Sequence, residues 1–234
     1  MISPPTTPDR RRPSEAKLIV WVLLAAVVVA GVIAVVAARA SSPAAAPQDT
    51  AQDTAQDAGQ LVRENSQVLS QAPDEQAVLV EFLDYECESC RAAYPFLEEL
   101  RADYSENVTF VHRHFPLPGH RNAMNAAVAA EAAAQQGAYE AMYQRLFKTQ
   151  TEWGESGQDQ SADFRGFAED LDLKMAAYDA AVADPATQQR VRLDAADGAA
   201  LGVGGTPTFF LDGQLLDPES LDDFRAAVDA AATD

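Results

Sequence analysis

Cysteine and positively charged residues are scarce in this chain. Of its 234 residues only 2 are cysteine and 3 are lysine, and 17 Lys and Arg residues stand against 36 Asp and Glu residues. The formal net charge at pH 7 is therefore −19. This excess of negative charge argues against nucleic acid and against an anionic lipid surface as partners. We interpret the acidity as a compositional bias rather than as a binding surface.

The two cysteines, Cys87 and Cys90, form a C-x-x-C motif. The motif follows an apolar run at 78–83 that predicts a strand, and it precedes a pattern typical of a helix. A cysteine at the start of a helix lies beside unpaired backbone N–H groups, which stabilise its thiolate, the reactive form in disulfide exchange. A second cysteine about one helical turn later can displace a mixed disulfide. The motif therefore favours redox catalysis.

Two other interpretations of the motif stay open. A zinc site needs two further ligands, and the chain offers only histidines: His112 and His114 alternate on a predicted strand, and His120 follows a proline-rich turn. A structural disulfide between Cys87 and Cys90, without catalytic use, is the second alternative. We predict neither a metal nor a cofactor.

The amino-terminal region carries a membrane signal. Residues 18–38 are 21 residues without a charge, which is long enough to cross a bilayer core of roughly 30 Å. Four basic residues precede this run and only Arg39 follows it closely. That asymmetry predicts a cytoplasmic tail at 1–17, a single-pass transmembrane anchor at 18–38 and an extracytoplasmic remainder. The alternative is a cleaved signal peptide that ends at the Ala38-Arg39-Ala40 pattern. With an anchor or with a signal peptide, the cysteines are expected in a compartment that permits disulfides.

Residues 39–60 are predicted to be a flexible linker. They repeat Gln-Asp-Thr-Ala and contain no aromatic or large aliphatic residue, so they cannot bury enough apolar surface to become ordered. A flexible coil of twenty residues reaches about 25 Å. The remaining residues, 61–232, are enough for one domain with its own core.

The hydrophobic pattern of that domain predicts the order β–α–β, a helical block, then β–β–α. Strands are predicted at 61–69, 77–83, 108–115, 206–211 and 214–216, and helices at 87–104 and from 221 onward. Residues 120–202 are alanine-rich with helical spacing, interrupted by a polar break at 151–159. Pro95 should kink the first helix, because proline removes a backbone hydrogen bond.

Taken together, these motifs resemble the DsbA-like branch of the thioredoxin-fold thiol–disulfide oxidoreductases, particularly its membrane-tethered bacterial members. The resemblance covers about residues 61–232. It rests on four stretches in this order: Val80 to Cys90, Phe115-Pro116-Leu117 before a helix near His120, Gln136 to Tyr139 with Leu146-Phe147, and Gly205 to Phe209. It implies an α/β protein with a thioredoxin fold and a helical domain, about residues 120–202, inserted between the two halves of that fold.

The resemblance also implies roles for five residues. Cys87 is similar to the family's exposed attacking cysteine, and Cys90 to its buried resolving cysteine. Glu81 matches the family's buried acid, which implies a proton acceptor for Cys90. Thr206 and Pro207 match the loop whose proline is cis and which binds an extended substrate strand beside the sulfurs.

One departure from the family pattern bears on the direction of electron flow. Strongly oxidising members carry Pro and an aromatic residue or His between the cysteines, whereas this chain has Glu88 and Ser89, with Glu86 adjacent. Two carboxylates near Cys87 disfavour its thiolate, which predicts a lower reduction potential, unless both are solvated and screened.

Three functions follow. The first is an extracytoplasmic oxidase that forms disulfides in secreted or surface proteins and is reset by a quinone-linked membrane redox partner, as the family implies. The second is a membrane-tethered disulfide reductase or isomerase that receives electrons across the membrane. The third is a tethered binding or sensing module with a passive disulfide. A measured redox potential separates the first two, and turnover of a thiol substrate isolates the third.

Overall fold

The computed structural model describes residues 61–233. The predicted cytoplasmic tail, transmembrane anchor and linker lie outside the described residues. Within residues 61–233, no helix combines the length and the apolar character needed to span a bilayer.

A mixed β-sheet forms the centre of the described structure. Its strands are β1 (Gln67–Ser70), β2 (Ala77–Leu83), β3 (Val108–His114), β4 (Thr208–Leu211) and β5 (Gln214–Leu216), in the spatial order β1-β3-β2-β4-β5. β2 pairs in parallel with β3, and the other pairs are antiparallel. β2 is therefore paired along both edges, and its nearly continuous apolar run suits that buried position.

The helices divide into two groups. Those described are α1 (Glu88–Tyr104), α2 (Ala123–Ala134), α3 (Tyr139–Trp153), α4 (Ser161–Asp170), α5 (Met175–Ala183), α6 (Pro185–Ala200) and α7 (Leu221–Ala231). α1 and α7 cover one face of the sheet, where Leu97 and Phe224 pack against Leu79 and Phe209. α2 to α6 lie between β3 and β4 in the chain and form the helical insertion.

α2 is the centre of the insertion, because α3, α4, α5 and α6 all contact it. Its buried residues are alanines with two exceptions, Val128 and Glu131. Small side chains let neighbouring helices approach closely. The alanine-rich composition of α2 therefore suits a helix that is packed by four others.

The predicted order of elements is confirmed, with differences in detail. Residues 61–63 do not join the first strand, because Arg63 and Ser66 close a turn through two hydrogen bonds of 2.9 Å. The helical spacing predicted over 120–202 does not delimit α5 as a separate helix, because the apolar residues of α5 lie all around it. α1 continues across Pro95 to Tyr104, and the kink at that proline stays a prediction.

A buried ion cluster joins the insertion to the sheet. Arg113 of β3 donates hydrogen bonds of 2.5 Å to Asp194 and Asp197 of α6 and to the Leu61 carbonyl. Arg63 binds Asp197 through two nitrogens, at 2.6 and 2.7 Å. Charges removed from water are costly unless they are paired in this way. The cluster therefore fixes the position of α6 against β3.

Gly198 lets α6 approach the rings of Phe82 and Phe115 closely. Substitution of Gly198 tests this packing. A Cβ there would lie 2.9 Å from the rings of Phe82 and Phe115. Gly198→Ala should therefore lower the free energy of unfolding by about 1–3 kcal/mol, in spite of the better helix propensity of alanine. Gly166→Ala in α4 is the matched control: nothing lies within 4 Å of its Cβ, so it should stabilise by roughly 0.5–1 kcal/mol. Urea denaturation measures both, and equal stability of the two variants would contradict this packing.

Candidate active site

The C-x-x-C motif lies at the start of α1. Cys87 is the N-cap residue, with φ −71° and ψ 123°, and its side chain makes no capping hydrogen bond. The first N–H groups of α1 and the positive end of its dipole can therefore act on the Cys87 sulfur. Cys90 lies in the first turn, and both cysteines are free thiols.

Cys87 is less accessible than the resemblance implies. Its exposed fraction is 7 %, against 1 % for Cys90. The carbonyl oxygen of Thr206 lies 3.2 Å from Cys87 Sγ, where it can accept a hydrogen bond from the protonated thiol, so the loop covers the sulfur. The prediction of an exposed Cys87 is therefore wrong for this conformation, whereas Cys90 is buried as predicted.

The peptide bond between Thr206 and Pro207 is cis, as the resemblance implies. The loop immediately precedes β4, and antiparallel pairing of Thr208 with Phe82 brings it to the carboxyl end of β2. The motif begins at that same end, so the loop lies against Cys87. Its use as a substrate-docking edge stays a prediction.

The two thiols differ strongly in acidity. The Cys90 thiol makes the largest contribution that lowers the pKa of Cys87, to about 5; Thr206 and the backbone N–H groups of Cys90 and Ser89 contribute further, while burial opposes this shift. Burial raises the pKa of Cys90 well above its ordinary value, as do the adjacent Cys87 and the charge of Glu81. At neutral pH Cys87 is therefore a thiolate and Cys90 a thiol.

Two glutamates, Glu86 and Glu88, flank Cys87 in the chain. Glu86 is 2 % exposed, and its carboxylate accepts hydrogen bonds from the N–H groups of Asn122 at 2.6 Å and Glu155 at 3.1 Å, both in the insertion. Glu88 is exposed, so solvent screens its charge. The pKa of Cys87 is lowered in spite of these carboxylates, because other contacts at the helix terminus favour its thiolate. The effect of the carboxylates themselves on the thiolate stays a prediction.

Gln150 of α3 holds the backbone of the motif, a contact that the sequence analysis missed. Its Nε2 donates to the carbonyls of Tyr85 at 2.7 Å and Cys87 at 2.9 Å, and Arg91 Nε donates to its Oε1 at 2.9 Å. A sequence signal exists, since Gln150 falls on the buried face of α3. A polar residue on a buried helix face indicates an internal hydrogen-bond partner.

Asp84 holds the turn that leads into the motif. Its buried carboxylate accepts hydrogen bonds from the N–H groups of Glu86 and Leu117, each at 2.8 Å, and His120 Nδ1 lies 2.7 Å from it. The Asp84 carbonyl accepts the N–H of Cys87 at 3.1 Å. Partial burial opposes protonation of His120, but the hydrogen bond with Asp84 raises the pKa of the imidazole. His120 therefore carries more positive charge near the motif than a free histidine does at the same pH.

Glu81 lies on β2 beneath the motif and is 4 % exposed, as predicted. Burial raises the pKa of its carboxyl to about 8, with smaller contributions from the charges of Cys87 and Glu98. The parallel register of β2 and β3 places His112 directly beside it, with Nε2 at 3.4 Å from Glu81 Oε2. The sequence pattern indicates His112 only as a possible metal ligand, not as a partner of Glu81. Transfer of a proton between Glu81 and Cys90 stays a prediction.

The histidines do not converge on the cysteines. Each lies beside a carboxylate; His114 Nε2, for example, is 2.8 Å from Glu131 Oε1. Across residues 61–233 there is no group of three or more His, Cys, Asp and Glu side chains arranged to hold a metal ion. The structure therefore gives the zinc alternative no support.

Comparison with known proteins agrees with this geometry. The family model described as thioredoxin matches residues 68–230. The chain belongs to the thioredoxin family. Its structure is similar to that of a thioredoxin-like oxidoreductase from Silicibacter pomeroyi DSS-3, with 30 % sequence identity and a TM-score of 0.62, over 75 % of this chain and 98 % of that one.

Two more distant structures share the fold. The first is alpha-DsbA1 from Wolbachia pipientis, with 20 % identity and a TM-score of 0.62 over 75 % of this chain and 95 % of that one. The second is oxidised BdbD from Bacillus subtilis, with 17 % identity and a TM-score of 0.63 over 72 % of this chain and 94 % of that one. The predicted thioredoxin fold with a helical insertion is thereby confirmed. The thioredoxin-fold oxidoreductase family is confirmed by the family model and by the Silicibacter structure. Membership in a membrane-tethered branch stays a prediction.

The curated relatives are much longer proteins. The chain is 38 % identical to the Na(+)/H(+) antiporter NhaA 3 of Salinispora tropica over 69 % of this chain and 24 % of that protein. It is 41 % identical to the Na(+)/H(+) antiporter NhaA 1 of Salinispora arenicola over 62 % and 21 %. The chain spans less than a quarter of the length of these relatives, so their transport activity is not carried over to it.

The acidity of Cys87 can be measured by following the ultraviolet absorbance of the thiolate in the reduced protein. The absorbance step should have its midpoint near pH 5, because hydrogen bonds stabilise the thiolate. Cys90→Ala should move the midpoint upward by removing the largest of these bonds, and Cys87→Ala should abolish the step. A midpoint near the ordinary thiol value of about 8.5 would contradict the site geometry.

Proposed function

We propose that this chain is an extracytoplasmic thiol–disulfide oxidoreductase that forms disulfides in secreted or surface proteins. The proposal rests on the contrast between two adjacent thiols at one helix terminus: the pKa of Cys87 is near 5, whereas that of Cys90 is raised. This contrast makes Cys87 a stable leaving thiolate and keeps Cys90 protonated. Membership in the thioredoxin family and the likeness to the Silicibacter oxidoreductase support it.

The proposed reaction balances without a cofactor. A substrate thiolate attacks the Cys87 sulfur of the oxidised protein, the Cys87–Cys90 bond breaks, and Cys90 leaves as a thiolate that takes a proton from Glu81. A second substrate thiolate attacks the substrate sulfur of the mixed disulfide, the substrate disulfide forms, and Cys87 leaves as a thiolate. Two electrons pass from the substrate to the dithiol. The backbone at Thr206 and Pro207, which lies against Cys87, would hold an extended substrate segment during both steps.

The acidity of Cys87 favours the oxidising direction over a reductase or isomerase. A stabilised thiolate lowers the free energy of the reduced protein, and a more stable reduced form means a more oxidising disulfide. The carboxylates that suggested the opposite direction are solvated by backbone N–H groups, at Glu86, or by water, at Glu88.

The amino-terminal sequence supports the proposed location. We infer that residues 18–38 hold the chain in the cell membrane with 1–17 in the cytoplasm, and that 39–60 give the catalytic domain its reach. A membrane redox partner would then reset the dithiol after each cycle. Protease digestion of intact spheroplasts should remove residues 61–232, and protection of that domain until the membrane is lysed would contradict the orientation.

The assignment of the two cysteines predicts different trapping by single variants. Cys90→Ala lacks the resolving thiol, so it should accumulate mixed disulfides through Cys87 with a reduced, unfolded substrate. Cys87→Ala should accumulate few, because Cys90 is buried and protonated. Non-reducing electrophoresis measures both, with the double variant as control. Equal trapping by the two single variants would contradict the assignment, and no trapping by either would favour the passive module.

Glu81→Gln should slow exchange and also stabilise the fold. The pKa of Glu81 is raised to about 8, so the native protein should lose stability as pH rises from about 4.3, where the carboxyl ionises in the unfolded chain, to about 8, where the buried carboxyl ionises. The amide does not titrate, and at pH 9 the variant should therefore be more stable by on the order of a few kcal/mol. Denaturation at pH 5 and 9 measures this. Glu88→Gln, at an exposed carboxylate, is the control, and an identical pH dependence in both variants would rule out a buried, titrating Glu81.

A further inference from the structure

A chain of buried polar groups connects Glu81 with His112, Tyr139 and Tyr85. His112 Nε2 lies 3.4 Å from Glu81 Oε2, and His112 Nδ1 lies 3.2 Å from the hydroxyl of Tyr139. The hydroxyl of Tyr85 lies 3.0 Å from that of Tyr139. All four side chains are buried. Each buried polar group needs a hydrogen-bond partner. Each contact along the chain must therefore pair one donor with one acceptor.

Two proton arrangements satisfy this chain. In the first, protonated Glu81 donates to His112 Nε2, Nδ1–H donates to Tyr139, and Tyr139 donates to Tyr85. In the second, ionised Glu81 accepts from Nε2–H, while Tyr139 donates to Nδ1 and Tyr85 donates to Tyr139. A neutral imidazole supports either arrangement, since one ring nitrogen donates while the other accepts. His112 stays neutral in both, because burial, followed by the charges of His114 and Arg101, lowers the pKa of its imidazole to about 3.

We propose that His112 is a positioning residue that changes tautomer each time Glu81 gains or loses a proton, so that neither state of the carboxyl is left unpaired beneath the dithiol. This inference rests on the proposed function for its role in exchange. In the proposed cycle, Cys90 takes its proton from Glu81, and the tautomer change would let Glu81 ionise without becoming an unpaired buried charge.

Titratable and charged groups from four parts of the structure lie around Glu81 and His112. They are Tyr85 and Cys87 before α1, Cys90, Glu98 and Arg101 of α1, Tyr139 and Tyr143 of α3, and His114 of β3. Tyr143 is the other buried hydroxyl near the pair, but it lies 3.5 Å from Glu98 and makes no hydrogen bond to His112 among the described residues. Only the hydroxyl of Tyr139 is placed to pair with His112 Nδ1 in residues 61–233.

Nitrogen-15 NMR of the reduced, full-length protein tests the proposal directly. The chain has only 3 histidines, so His112→Gln and His114→Gln assign the imidazole signals. The His112 signal should change from the Nδ1–H to the Nε2–H tautomer with a midpoint near pH 8, where Glu81 ionises, and Glu81→Gln should remove this transition. A single His112 tautomer from pH 6 to pH 10, or a transition that persists in Glu81→Gln, would overturn the proposal.

Tyr139→Phe and Tyr143→Phe form a matched pair. Loss of the Tyr139 hydroxyl leaves Nδ1–H without an acceptor in the first arrangement, and an unpaired buried donor costs more than an unpaired ring lone pair. Tyr139→Phe should therefore favour Nε2–H and move the midpoint to lower pH, while Tyr143→Phe leaves the tautomer transition in place. Equal displacement in both variants would overturn the proposal. Because these spectra need no thiol substrate, failure of the tautomer change and failure of mixed-disulfide trapping are separate results.

Discussion

The hydrogen-bonded pairing of β2 along both of its edges is the constraint on which the site depends. On one edge the parallel register with β3 aligns Glu81 with His112. On the other edge the antiparallel register with β4 brings the Thr206–Pro207 loop to the end of β2, where α1 begins. A shift of either register by one residue would turn the opposing side chains to the other face of the sheet. The cysteines, the acid and the loop are thus assembled by strand register.

The helical insertion contributes fixed charges and hydrogen-bond donors to this centre. N–H groups of Asn122 and Glu155 donate hydrogen bonds to the carboxylate of Glu86, and Gln150 donates to the carbonyls of Tyr85 and Cys87. These contacts cross from the insertion to the turn before α1, while the Arg113 cluster fixes α6 to the sheet. A site that keeps Cys87 as a thiolate beside several carboxylates needs each of those carboxylates to be paired or solvated. The insertion meets that need for Glu86, and water meets it for Glu88.

Much of the architecture could be predicted from the sequence. The apolar run of β2, the C-x-x-C motif at a helix start and the Thr-Pro before a strand are local signals, and the strands and helices formed at or close to those positions. The properties that were missed depend on long-range pairing. From the sequence alone Glu86 is expected at the surface, whereas in the fold the N–H of Asn122 binds it. His112 is likewise indicated only as a possible metal ligand, whereas the register of β3 aligns it with Glu81. The exposure of Cys87 likewise depends on a loop more than a hundred residues away, at Thr206.

The central claim is that this geometry stabilises the reduced dithiol and makes the disulfide oxidising. Equilibration of the Cys87–Cys90 pair with a glutathione redox buffer tests it most directly. The pKa of Cys87 is about 5, against about 7 in thioredoxin, and the difference corresponds to roughly 60 mV for a two-electron couple. We therefore expect a reduction potential of about −210 mV, on the oxidising side of the roughly −270 mV of thioredoxin. A potential at or below that of thioredoxin would contradict it.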